Sequence, residues 1–134
     1  MGTIIISKPY IENKENGKVR LCSNIVYENK KSRVLYYEVD AEYAQYLNYE
    51  KVDCFVLGLL HNCMNTKMNI KCEAPVSEQL LFQLRNYYIP VISKHMPNLF
   101  YIEIEAEEIS EINTLGSAVA TGNSGGVDSF YIIV

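Results

Sequence analysis

No stretch of this chain approaches the eighteen or more consecutive apolar residues that a membrane span requires. The first ten residues carry an apolar run of only Ile4, Ile5 and Ile6, with no charged region ahead of it, which does not fit a secretory signal. Ile6 also stands where N-myristoylation after Gly2 calls for Ser or Thr. A cytoplasmic protein without a membrane partner is therefore expected. Tryptophan is absent, and the four cysteines, Cys22, Cys54, Cys63 and Cys72, contain no CxxC pair. In a reducing compartment they are expected to be free thiols. The twelve Lys and Arg form no stripe, and with a net charge of -4 the chain lacks the electrostatic footprint of a nucleic-acid binder.

What is present is an ordinary globular composition: 134 residues, 49% hydrophobic and 21% charged. A chain of this size buries enough surface to fold without disulfide or metal staples. From Thr3 to Tyr10 and from Lys18 to Glu28 the residues are β-branched and aromatic, and Asn13 to Gly17 supplies turn chemistry between them. A second turn at Asn29 to Ser32 leads to a third strand, Arg33 to Val39. Asp40 is placed to cap a helix over Ala41 to Tyr49, and apolar residues at steps of three and four predict another from Val52 to about Met64.

Met68 to Cys72 reads as a short strand. Ser77 then opens the clearest helix of the chain, with Leu80, Leu81, Leu84, Tyr87 and Tyr88 at helical spacing and Pro90 expected to kink or end it. Leu99 to Glu105 alternates apolar and acidic residues, the period of a strand with one wet face. The expected fold is α+β: a mostly antiparallel sheet from the first three strands and the strand near Phe100, with two or three helices packed on one side. Residues 1–114 form the expected α+β domain, and residues 115–134 a strand and a glycine loop.

That loop is the most specific feature. Ser117 to Thr121 is a short strand candidate of small residues running into Gly122-Asn-Ser-Gly-Gly-Val-Asp-Ser129. Glycines let a backbone approach a phosphate, successive N–H groups point at its oxygens, and hydroxyls add donors. Ser124 to Ser129 resembles the SGGxDS loop of the PP-loop ATP pyrophosphatases, a superfamily of ATP-dependent adenylating ligases and amidotransferases. Accidental occurrence at average residue usage is a poor explanation for the match. The resemblance implies that Ser124, Gly125, Gly126, Asp128 and Ser129 hold the phosphates of ATP or pyrophosphate, with magnesium as the counter-ion.

Only Phe130 to Val134 follow the loop, whereas one βαβ unit needs about thirty residues. These 134 residues are thus expected to carry the leading domain, first strand and loop of such a protein, with at most weak phosphate binding and no catalysis. The other reading makes the loop a turn between two antiparallel strands, Ser117 to Thr121 and Phe130 to Val134, in a small acidic protein that acts by contact. Either way a protein partner or self-association is expected. The eleven tyrosines suit a binding surface and equally a core with polar edges.

Two smaller constellations remain. Cys54, His61, Cys63 and Cys72 lie within nineteen residues but span different elements, so buried free thiols are expected rather than a metal site or a Cys-His nucleophile. The acidic run of Glu103, Glu105, Glu107, Glu108 and Glu111 reads as a solvated face.

Overall fold

The computed structural model describes residues 2–110. Strand β1 (Gly2–Ile6) is followed by β2 (Tyr10–Asn13), β3 (Lys18–Val26) and β4 (Ser32–Asp40). A short 3-10 turn (Ala41–Tyr46) precedes helix α1 (Asp53–Thr66), then β5 (Met68–Cys72) and β6 (Val76–Ser77). The second helical rod is α2 (Glu78–Gln83), a π turn (Leu84–Tyr88) and α3 (Ile89–His95), after which come β7 (Ile104–Glu105) and β8 (Glu108–Ile109). The fold is α+β, as the alternation of strand and helix periodicity predicts.

The main sheet is mostly antiparallel. β3 carries β4 along one side, while its other side pairs with β2 over one half and with β1 over the other. The register advances by one residue between Ile6↔Ile25 and Tyr10↔Cys22, so Ser7, Lys8 and Pro9 form a bulge opposite Ser23 and Asn24. Pro9 has no N–H to give a ladder, which suits it to this break. Fully buried Ser23 donates its Oγ proton to the Ser7 carbonyl at 2.7 Å, and the Ser7 N–H donates to the Asn24 carbonyl at 3.0 Å, so the bulge leaves these groups satisfied. The sheet then continues in parallel from β1 to β5 to β7.

The alternation of side chains along the strands puts Ile4, Ile6, Leu21, Ile25, Ile70 and Ile104 on one face, all under 5% exposed. Against that face α1 lays Phe55, Val56, Leu60, Cys63 and Met64, and the second rod lays Leu81, Leu84 and Ile89. The three α-helices thus cover one side of the sheet. Among the described residues no helix is long and apolar enough to cross a membrane.

Three local expectations change on the structure. Asp40 precedes only a 3-10 turn, and its carboxylate bonds to the Lys18 ammonium instead of capping. Of the two outcomes expected at Pro90, a kink or an end, the end does not occur: the rod runs on as α3 to His95. The π turn just before Pro90 widens the helix, the Ile89 N–H reaches back to the Leu84 carbonyl, and Asn86 Nδ2 donates to the Phe82 carbonyl at 2.9 Å. Leu99 to Glu105 pairs only at its end, because Phe100 N–H is taken by the Met64 carbonyl at the end of α1 while Leu99 and Ile102 turn into the core.

One close approach fixes α1 against the sheet. Tyr37 on β4 reaches across to donate its hydroxyl to the Cys54 carbonyl at 2.7 Å, its ring 5.4 Å from that of Phe55. A Cβ on Gly58 would meet that hydroxyl at 2.5 Å, so glycine at this helix position makes room for it. In Gly58→Ala the helix gains about 1 kcal/mol of propensity and loses a hydrogen bond of about the same worth. The expected stability change is near zero alone but about 1 kcal/mol stabilising in a Tyr37→Phe background. A double-mutant cycle by urea unfolding measures this, and a coupling within experimental error of zero would contradict the contact.

Candidate functional site

The five residues of the glycine loop singled out by sequence, Ser124, Gly125, Gly126, Asp128 and Ser129, lie outside the described residues. Within the described residues the polar chemistry converges where α1 begins. Asp53 opens the helix, its negative charge favourably placed at the amino terminus. Its Oδ1 accepts the Ser77 N–H at 2.8 Å, and its Oδ2 accepts the Ser77 hydroxyl in a short bond. Lys51 Nζ donates to Ser77 Oγ at 2.9 Å and stands 4.0 Å from Asp53 Oδ2. The Val52 N–H donates to the Pro75 carbonyl at 3.0 Å, so backbone and side chains clip α1 to the strand that starts the second rod.

Ser77 was the expected cap of the second rod. It stands at that position but makes no side-chain cap bond, because its hydroxyl proton goes to Asp53. A serine whose proton is given to a carboxylate and whose oxygen accepts from a lysine has the residue types of a hydrolytic centre. Here the serine hydroxyl is held between the carboxylate and the ammonium, and the other carboxylate oxygen takes the Ser77 N–H. That is the arrangement of a partly buried polar clip rather than of a waiting nucleophile.

On one side of the clip lies an apolar hollow of about 240 Å³ under Tyr37, Tyr46 and Leu47. On the other lies a wider cleft of about 620 Å³ between α2, the π turn and β8, with Ser77, Phe82, Arg85, Glu108 and Ser110 on its walls. Arg85 sits in the π turn, donating to the Ile104 carbonyl at 2.6 Å and to Glu108 Oε1 at 3.4 Å. The second small ladder, β6 parallel to β8, floors this cleft and brings the chain to Ser110 at its rim.

The cysteines are free thiols. Cys63 is 2% exposed, and burial pushes its thiol up to about 11. Burial, followed by the charge of Asp53, pushes Cys72 up to about 12. Burial also raises Cys54, and raises Cys22, whose Sγ sits 3.6 Å from Glu12 Oε2. Thiols raised in this way stay protonated at neutral pH and are poor nucleophiles and metal ligands. Among the described residues no three His, Cys, Asp or Glu side chains come together as a metal-holding group. Of the acidic run, Glu108 pairs with Arg85, and exposed Glu103, Glu105 and Glu107 present a solvated face.

The buried thiol makes a pH prediction. Because Cys63 ionises near 11 folded and near 9 unfolded, its contribution is fully present below about pH 9 and is lost as pH rises toward 11. Two pKa units correspond to about 2–3 kcal/mol. Urea unfolding across that range should therefore show a fall larger by about that amount in the natural chain than in Cys63→Ala. Equal falls in both proteins would contradict the assignment.

Tyr36, Tyr43, Tyr46, Tyr49, Tyr87 and Tyr88 are all exposed, and Arg20 lies 4.0 Å over the ring of Tyr36. No protein-family model, no curated protein and no solved structure matches the chain.

Proposed function

We propose that this chain is the leading domain of a PP-loop ATP-pyrophosphatase-like protein together with that protein's first strand and phosphate loop. The reading gives it weak affinity for ATP or pyrophosphate with magnesium and no catalysis of its own. The observation that carries the proposal is the exact run Ser124-Gly-Gly-Val-Asp-Ser129, which follows residues that build a buried core among those described. The charge and hydroxyl content of that run suits a polyphosphate, and its glycines leave the backbone open to one. Positioning across a whole nucleotide supplies most of the rate in adenylyl and phosphoryl transfer, and a loop by itself does not provide it.

The experiment is a titration of the full chain with pyrophosphate and with magnesium-ATP, run beside an assay for AMP release. Binding no tighter than roughly millimolar, about -4 kcal/mol, is expected, without turnover. A second reading is a small interaction protein in which the glycine loop is a turn. The exposed tyrosines favour it, since tyrosine offers contact area at low entropy cost.

A further inference from the structure

Among the described residues the sheet has one long unpaired edge. β4 runs nine residues, Ser32–Asp40, and pairs with β3 along its whole length, while among the described residues no strand pairs with its other side. Two hydrogen bonds at the ends of the ladder set its phase. The Tyr27 N–H donates to the Lys31 carbonyl and the Ala41 N–H to the Gly17 carbonyl, both at 2.9 Å. Odd-numbered residues of β4 therefore turn their backbone groups toward β3, and the alternation of an antiparallel ladder turns those of Ser32, Val34, Tyr36, Glu38 and Asp40 outward.

Edges of this kind are normally blunted by lysine, proline, a bulge or shortness. β4 is long and unbulged: Ser32-Arg-Val-Leu-Tyr-Tyr-Glu-Val-Asp40 contains no Lys, Pro or Gly, its acids Glu38 and Asp40 are paired within the chain to Arg20 and Lys18, and its register with β3 is constant through all nine pairs. The other edges of the sheet are protected. β2 has four residues and follows Pro9 and the bulge, and β7 has two. On β4, Val34 is 51% exposed and Tyr36 46%.

We propose that β4 pairs antiparallel with β4 of a second copy of this chain, about a two-fold axis normal to the sheet at Tyr36. A second copy fits because the strand is self-complementary in this register. On the open face Tyr36 meets Tyr36 of the second copy, Val34 meets Glu38, and Ser32 meets Asp40. On the helix-bearing face Leu35 meets Tyr37 and Arg33 meets Val39. No like charges stand opposite one another. The two acids are already held within each copy, Glu38 by Arg20 at 2.8 Å and Asp40 by Lys18. The outward backbone groups then complete a ladder that runs through both copies as one sheet. One strand pair is smaller than the roughly 800 Å² per partner of a standard interface, so the dimer is weak and reversible.

Sedimentation velocity on the full chain from a few micromolar to about one millimolar tests this, with Tyr36→Lys and Tyr36→Pro beside it. The lysine sets two ammonium groups face to face at the axis, and the proline removes an N–H that points away from β3, so the monomer's own ladder is intact. Circular dichroism checks the fold of both. The expected result is a reversible dimer weakened at least tenfold in each variant. In the natural chain, amide exchange at Val34, Tyr36 and Glu38 should slow as concentration rises, a readout that needs no variant. A chain that stays monomeric to one millimolar overturns the proposal. So does a dimer unaffected by Tyr36→Lys, or protection of those amides already complete in the dilute monomer, which would mean that another segment of the same chain covers the edge.

Discussion

Asp53→Ala is expected to destabilise the protein by about 2–3 kcal/mol and to lower the melting temperature by roughly 8–15 °C. The carboxylate accepts two bonds from Ser77, one from its N–H and one from its hydroxyl, and stands beside the Lys51 ammonium. Hydrogen bonds to a charged group are the strong ones, and the donors left behind keep their cost of burial. The Asp53 side chain is 27% exposed, so water replaces part of what is lost and holds the estimate below the sum of its bonds. Asp53→Asn keeps an acceptor but loses the charge and the favourable helix-terminus term, so it should fall about halfway. Ser77→Ala keeps the backbone bond and should cost least, about 1 kcal/mol. Thermal and urea unfolding of the three variants should give that order, and equal effects would mean that the clip does not tie α1 to the second rod.

How far this was legible in the sequence varies by element. Met68 to Cys72 is a strand in both readings, because five residues between polar turns hold few alternatives at that length. α1 was legible from Phe55, Val56 and Leu60, whose spacing matches the face that the sheet covers. Its end was not legible to the residue, since Lys67 terminates the helix in a left-handed conformation, φ 56°, that glycine more often supplies. The parallel pairing of β1, β5 and β7 carries no local mark, because hydrophobic period reports which face is buried and not which neighbour runs beside it.

The passage of the second rod through Pro90 was hidden for a similar reason. Proline's cost is a local rule, and the π turn that accommodates it is held by Leu84 and Ile89 packing against the distant sheet. The clip was missed because its members are 24 residues apart in the chain, and each has a sufficient local explanation: Ser77 as a cap, Asp53 as an acid at a helix start. A signal was there in retrospect. An acid at the first turn of one helix and a serine at the start of the next are complementary ends, and a compact domain brings such ends together when the strands between are short.

Complete loss of ligand binding is expected in the Ser124→Ala, Ser129→Ala double variant. Both hydroxyls are donors to phosphate oxygen in the proposed reading, while Gly125 and Gly126 give the backbone access. Removing the two hydroxyls takes away a large share of about four or five charge-assisted bonds, and an interaction worth about -4 kcal/mol does not survive that. The core of the described residues is built from side chains between Ile4 and Ile104, and an unchanged melting temperature is expected in the double variant. The most direct measurement is an amide NMR titration of the natural chain and the double variant with pyrophosphate in the presence of magnesium. The account predicts saturable shifts at Gly125, Gly126 and Ser129 with a dissociation constant of roughly millimolar or weaker, absent in the double variant, and no AMP formed when ATP replaces pyrophosphate. Shifts that are absent from the natural chain at tens of millimolar would contradict it, as would AMP release that the double variant abolishes.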